Sequence, residues 1–248
     1  KKYIATMQLG ITTDTYDTTG NVIRVNKEKA EALFKDRELL PVLLDDIFMH
    51  FTGRIVQKPP IYSAIKVDGK KLYEYAREGI DVEIPLREVE IYSLELTDMD
   101  PDRCEISFSV ECSKGTYVRS LIHDIGTSLG TGAAMSSLLR DEINGVYSRD
   151  SLTLDELNSL KSEDRLYTAV QTMESIISYS PMVHLKEEGK KYLLNGNRLS
   201  KNMLIFPDNE DIYRNTDFIR VYNDDELSAL YTYDIKHDDF RMYKNLMH

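Results

Sequence analysis

The stretch RCEISFSVECSKGTYVRSLIHDIG, residues 103 to 126, changes its period half-way along. Ile106, Phe108, Val110 and Cys112 alternate with polar residues, the period of a strand with one buried face. From Val118 the apolar residues recur at Leu121, Ile122, Ile125 and Leu129, spacings of three and four, so an amphipathic helix follows, stopped by Gly130 and Gly132. The turn between them carries Lys114, Gly115, Thr116, Tyr117 and Arg119. Gly115 permits close backbone approach, and Lys114 and Arg119 can face a phosphate where the helix N-terminus also favours an anion. For any one of these cations plain solvation is the better explanation, less so for the cluster.

Working outward, VEIYSLELTDMD (89 to 100) reads as a second strand antiparallel to the first. Residues 3 to 9 read as a third, which the polar turn LGITTDTYDTTG joins to a return strand at Asn21 to Val25. Lys27 to Phe51 is helical, with Leu40, Leu43, Leu44, Ile47, Phe48 and Phe51 on one face. In VQKPPIYSAIKVDGKKLYEYAREG, Pro59-Pro60 prevents regular structure, Asp68-Gly69 marks a tight turn, and a short helix stops at Gly79. Thr153 and Glu156 form a capping-box pattern. Beyond Ser180 short strands and Asn and Asp turns suggest a small β-rich domain. The expected class is α+β: a mixed, mainly antiparallel sheet with packed helices over residues 1 to 179, and the small domain over 180 to 248.

The 248 residues carry a net charge of -11, 42% hydrophobic residues and a mean hydropathy of -0.40, and no apolar run approaches the ~20 residues of a membrane span. The sequence begins Lys-Lys-Tyr with no signal-peptide pattern, and reads as a chain that has lost its start. Cys104 and Cys112 lie at opposite ends of one strand, beyond disulfide reach, so free thiols in a reducing cytoplasm are expected. His50, His123, His184, His237 and His248 show no ligand spacing, and no metal is expected. There is no Walker loop, no G-x-G-x-x-G and no G-x-S-x-G.

The net charge conceals two regions. Residues 53 to 77 hold six cations against Asp68 and Glu74, a net +4, whereas residues 208 to 239 hold ten acids against three bases, a net -7. In the first, Lys58, Lys66, Lys70, Lys71 and Arg77 interleave with Tyr62, Tyr73 and Tyr75, a mixture suited to phosphate contacts and base stacking. An ordinary solvated face accounts for it equally well.

KKYIATMQLGITTDTYDTTG, KPPIYSAIKVDGKKLYEYAREG, CSKGTYVRSLIHDIG and GAAMSSLLR, in that order, closely resemble the bacterial TruB family, the synthases that make pseudouridine at position 55 in the TΨC loop of tRNA. The resemblance covers nearly all of Lys1 to Leu160 and more loosely the C-terminal part, which it implies is a small RNA-contacting domain over residues 180 to 248. It implies a pseudouridine synthase fold, no cofactor, a monomer, and the tRNA TΨC stem-loop as partner. Tyr3 would stack on the target base and Arg140 would pair with a catalytic aspartate. Residues 53 to 79 would be an RNA-gripping insertion that presents Lys58, Tyr62, Lys66, Lys70, Lys71, Tyr73 and Arg77, with Lys114, Tyr117 and Arg119 near the cleft. The family's aspartate sits in a Gly-x-Leu-Asp-Pro-x-Ala-x-Gly motif upstream of the block matching Lys1, and no such motif occurs here. Asp100-Pro101, the one Asp-Pro, lies in a turn and lacks the flanking residues; Asp14 and Asp17 match a turn motif. Asp141 and one extra residue before Gly145 depart from the family pattern and could displace Arg140, which otherwise reads as a helix-end cation. Two other readings stay open: a catalytically silent RNA-binding protein or tRNA chaperone, and a protein-interaction module.

Overall fold

The computed structural model describes residues 1–36, 38–207 and 210–247, without the side chain of Glu210; Asp208 and His248, both counted above, lie outside them. Two compact units result, Lys1–Ser151 and Leu152–His248.

In the first unit the order is β1 (Lys2–Leu9), β2 (Ile11–Thr13), β3 (Val22–Val25), α1 (Lys27–Lys35), α2 (Leu39–Phe51), β4 (Gly53–Gln57), β5 (Lys66–Val67), β6 (Lys70–Lys71), α3 (Leu72–Glu78), β7 (Arg87–Asp100), β8 (Glu105–Cys112), α4 (Val118–Ser128), β9 (Ala133–Ile143) and β10 (Val146–Tyr147). The main sheet runs β10-β9-β1-β8-β7-β4, and every described pairing in it is antiparallel. Strand alternation decides which face is covered. Tyr3, Ala5, Met7 and Leu9 of β1 share a buried core with Ile106, Phe108, Val110 and Cys112 of β8, Leu40, Leu44 and Phe48 of α2, and Val118, Leu121, Ile122 and Ile125 of α4. Each fully buried Ile, Leu or Phe contributes about 2 kcal/mol. The other face is polar, with the Thr6 and Ser107 hydroxyls 2.9 Å apart.

Three expectations are refined. The return strand β3 pairs with β2, not with residues 3 to 9, because Gly10 turns the chain at φ 83° and ends β1 before the hairpin starts. The helical stretch from Lys27 to Phe51 is two helices, and the Asp36 carboxylate accepts from the Leu39 amide at the start of the second. Arg140 lies within strand β9, not at a helix end. Asp68-Gly69, both at positive φ, make the tight β5–β6 turn, and Gly79 at φ 66° stops α3 as its pattern predicts.

The second unit holds α5 (Leu154–Ser162), α6 (Met173–Ile176), β11 (Met182–Leu185), α7 (Lys190–Leu194), β12 (Leu204–Ile205), α8 (Glu210–Arg214), β13 (Ile219–Asn223), β14 (Glu226–Asp234) and β15 (Asp239–Asn245). The capping box forms: the Thr153 hydroxyl accepts from the Glu156 amide and the Glu156 carboxylate from the Thr153 amide. The sheet runs β12-β11-β13-β14-β15, mixed because β11 and β13 are parallel. Val183, Val221, Ala229, Tyr231 and Phe240 fill its core. Much of the acidic charge is paired internally. Asp234 and Asp239 share Arg198, Asp238 meets Lys201, and Asp224 meets Lys190. Arg198 and His237 hold the Asp234 carboxyl well below the usual carboxylate range.

Candidate active site

The β1–β9 register places Tyr3 directly opposite Arg140. Opposed residues point to the same face of a sheet, so the two side chains meet, with the guanidinium carbon 5.6 Å from the ring centroid. Tyr3 is 8% exposed and Arg140 is exposed. A cation over an aromatic ring at such a site contributes about 0.5–1 kcal/mol, so the guanidinium can leave the ring at little cost. The two departures from the family pattern lie just beyond Arg140. A register shift between Lys2 and Tyr3 leaves Asp141 unopposed, its carboxylate accepting from the Ser148 hydroxyl at 3.0 Å, and Asn144-Gly145, both at positive φ, make the turn into β10. Beside Arg140 a cavity of about 250 Å³ is lined by Ile143, Val146, Tyr147 and Ser148, and Arg149 stacks on Tyr147 at 4.3 Å.

Three other aspartates are committed elsewhere. Asp100 accepts from the amides of Asp102 and Arg103, capping the β7–β8 turn. It pairs across β8 with the Gln8 end of β1, five residues from Tyr3, about 17 Å along a strand. Asp14 accepts from both the amide and the side chain of Asn21, and Asp17 from the amide and hydroxyl of Thr19. Both shape the turn. That turn is clipped to β9, because the Met135 amide donates to Tyr16 and the Thr18 amide to Met135, and the Tyr16 ring stacks on His123 of α4 at 4.0 Å.

The insertion expected over residues 53 to 79 begins later than that, because Gly53–Gln57 is strand β4 of the main sheet; the chain leaves β4 after Gln57 and returns in β7 at Arg87, residues that pair in the last rung of that ladder. Lys58, Lys66 and Arg77 are exposed. Tyr73 lies between Lys71 and Arg77, 5.4 and 5.3 Å from its centroid; Lys70 lies 5.0 Å from Tyr75 and pairs with Glu78. The Tyr75 hydroxyl donates to Val67, tying α3 to the β5–β6 hairpin. These rings arrange cations, which leaves Tyr62 as the insertion's aromatic without a described ring partner. Lys114 is exposed and Tyr117 half-buried beside the root of the insertion, whereas the Arg119 guanidinium is engaged with the carbonyls of Thr15 and Tyr62.

Residues 1–118 match the profile of the TruB family pseudouridylate synthase N-terminal domain, and residues 119–178 that of the tRNA pseudouridylate synthase B C-terminal domain. The chain is 38% identical over 222 residues to tRNA pseudouridine synthase B of Staphylococcus haemolyticus, covering 85% of this chain and 71% of the relative. The chain belongs to the TruB family. It is also 38% identical over 203 residues to the enzyme of the same name from Oceanobacillus iheyensis, spanning 81% of this chain and 64% of that relative's length. The fold is shared with the crystal structure of a Cbf5-Nop10-Gar1 complex, with a TM-score of 0.64, 24% identity, and coverage of 100% of this chain and 66% of the other.

Within this TruB-family chain some site residues escaped the sequence reading. Gln57 is 1% exposed, accepts from the Tyr117 amide at 2.8 Å and donates to the Tyr117 carbonyl at 3.1 Å. Ser120 donates to the Lys58 carbonyl at 2.8 Å. Their signal, a buried polar side chain reaching a backbone group of another element, is not visible in residue order. Asp124 is a third. Burial pushes its carboxyl up from 3.8 to about 6, beside Tyr16, whose phenol burial and Asp124 push up, and His123, which burial pushes down. Because the folded state holds the Asp124 proton more tightly, stability declines as pH rises from about 4 to about 6 and stays lost above. His123 acts with the opposite sign at its own titration and cancels between wild type and variant. Asp124→Asn is expected to stabilise the protein by about 1 kcal/mol at neutral pH, the ~3 kcal/mol implied by the shift being reduced because the group is half-exposed. Thermal melting from about pH 4 to 7 checks it: equal stability gaps at both ends would refute the assignment.

Proposed function

We propose that the chain forms the larger part of a monomeric, cytoplasmic synthase that isomerises uridine to pseudouridine at position 55 in the TΨC loop of tRNA. The observation that carries this reading is the opposition of Tyr3 and Arg140 across adjacent strands, an aromatic platform and a guanidinium side by side. In the reaction the bond from C1′ to N1 breaks, the freed uracil turns, C1′ bonds to C5, the C5 proton passes to solvent, and N1 takes up a proton in exchange. This is an isomerisation and balances without a redox partner. It needs a carboxylate as nucleophile or base, taken in this proposal from outside these 248 residues, since the chain spans only part of its relatives' length. The flipped base rests on Tyr3, while Arg140 leaves the ring for the carboxylate and keeps it ionised.

The test is release of tritium from C5 of uridine in a tRNA transcript, by protein that includes the carboxylate. Binding without release would overturn the enzyme and leave a silent RNA-binding protein. The basic insertion supplies the grip in either case, because phosphate contacts follow the local field, not the net charge. Replacing Lys66 or Arg77 by alanine is expected to weaken tRNA binding and lower the slope of log K against log salt by about one per residue. An unchanged slope would remove that residue from the phosphate contacts, and salt-independent binding by the wild type would argue for a protein-interaction module.

A further inference from the structure

Three cations of the insertion stand without a carboxylate, and one ring holds two of them. Among the described residues Lys66, Lys71 and Arg77 make no ion pair, whereas Lys70 pairs with Glu78, and the Glu74 carboxylate is taken by the Lys71 amide at the start of α3. Lys66 stands directly opposite Lys71 in the β5–β6 ladder, an arrangement that like charges disfavour. Tyr73 and Arg77, four residues apart, share one face of α3, and the guanidinium carbon lies 5.3 Å from the ring centroid. Lys71 donates to the Tyr73 hydroxyl at 3.3 Å. The Tyr73 amide in turn donates to the Ser63 carbonyl at 3.1 Å, which anchors the ring to the preceding segment of the insertion.

We infer that Tyr73 is a positioning residue that holds Lys71 and Arg77 as one unit for phosphates of the RNA strand, and that it stacks on no base. This rests on the RNA-modifying reading above. A carboxylate partner would fix these side chains but cancel their charge. A tyrosine fixes them without cancelling it, because its ring face attracts one cation and its hydroxyl oxygen accepts from another. Long basic side chains give up rotamer freedom when they meet a phosphate, and cations that are already held give up less. The opposition of Lys66 to Lys71 fits the same purpose, since an anion between them relieves the repulsion that the ladder imposes.

Tyr73→Phe keeps the ring and loses the bond to Lys71; Tyr73→Leu loses both contacts. Positioning requires the leucine variant to bind a tRNA transcript about tenfold more weakly than wild type, with a lower slope of log K against log salt, and the phenylalanine variant to fall between them. It also requires these losses to shrink below about twofold when Lys71 and Arg77 are both replaced by alanine, because the ring then has nothing to place. A base stacked on Tyr73 predicts that the phenylalanine variant binds like wild type, that the slope is unchanged and that leucine costs the same in either background, and that result overturns the inference. A tyrosine that only supports the fold of the insertion also gives equal losses in both backgrounds, and overturns it as well. Magnetic resonance, measured without RNA, reads the arrangement itself. The Arg77 Nε proton, held over the ring, is expected to lie upfield in the wild type and in the phenylalanine variant and to lose that shift in the leucine variant. A shift unaltered by leucine overturns the inference whatever happens to binding. An upfield Arg77 in a protein whose wild type ignores tRNA would support the arrangement and refute the RNA reading. Tyr73→Phe, which removes a single oxygen, gives the Lys71 half of the comparison should the leucine variant fail to fold.

Discussion

Arg140→Ala, in protein that carries the catalytic carboxylate, is expected to lower single-turnover pseudouridine formation by about a thousandfold, with tRNA affinity changed by less than about threefold. The argument starts from geometry. Arg140 faces Tyr3 in the β1–β9 register and holds it only through a cation–π contact at 5.6 Å. The carboxylate, by contrast, offers charge-assisted and bidentate hydrogen bonds, which are roughly twice as strong as neutral ones. A base stacked on Tyr3 excludes water from that carboxylate, and desolvation without a partner would raise its pKa and remove the nucleophile. The loss therefore falls on the chemical step. Arg140→Lys is expected to recover part of the rate, because charge returns and the fork does not. Equal losses of rate and affinity, or a rate within tenfold of wild type, would remove Arg140 from this role.

The position of Arg140 also shows what residue order conceals. Strand β8 and helix α4 declare themselves because one periodicity runs through each. Strand β9 does not. Its sequence, AAMSSLLRDEI, runs in doublets, since a bulge between Thr6 and Met7 leaves Ser136 unopposed and shifts the alternation. Arg140 thus reads as a helix-end cation until β1 is placed beside it. The hairpin departs from its pattern for a related reason: Gly10 adopts φ 83°, but nothing in its neighbours shows that β1 ends there. The resemblance names Tyr3 and Arg140 separately, and their opposition across β1 and β9 is legible only in the structure. The two hydrogen bonds of Arg119 were not legible at all, because their acceptors are backbone carbonyls, which every residue possesses. What sequence shows well is local period and turn chemistry; what it hides is long-range contact to backbone.

Gly126→Ala is expected to destabilise the protein by about 3 kcal/mol, lowering the melting temperature by roughly 6–12 °C. Gly126 lies on the buried face of α4, and a Cβ there would come within 2.3 Å of the Ala133 nitrogen, 2.4 Å of the Ala133 Cβ and 2.6 Å of the Gly132 carbonyl carbon. All three atoms are backbone or tied rigidly to it, and the Gly126 carbonyl already accepts from the Thr131 and Gly132 amides. Neither side can yield without moving the start of β9. The roughly 1 kcal/mol that alanine gains over glycine in a helix is too small to offset this. Gly115→Ala is the control. It has φ 91° but open space around it, so it should cost only about 1–2 kcal/mol of backbone strain. If Gly126→Ala melted within about 2 °C of wild type, the tight seat of α4 on β9 would be wrong. The functional consequence follows from the other end of the same helix. Its first turn holds the insertion through Tyr117, Arg119 and Ser120, so a variant that lifts α4 from β9 should also bind tRNA more weakly, although Gly126 lies near the other end of the helix.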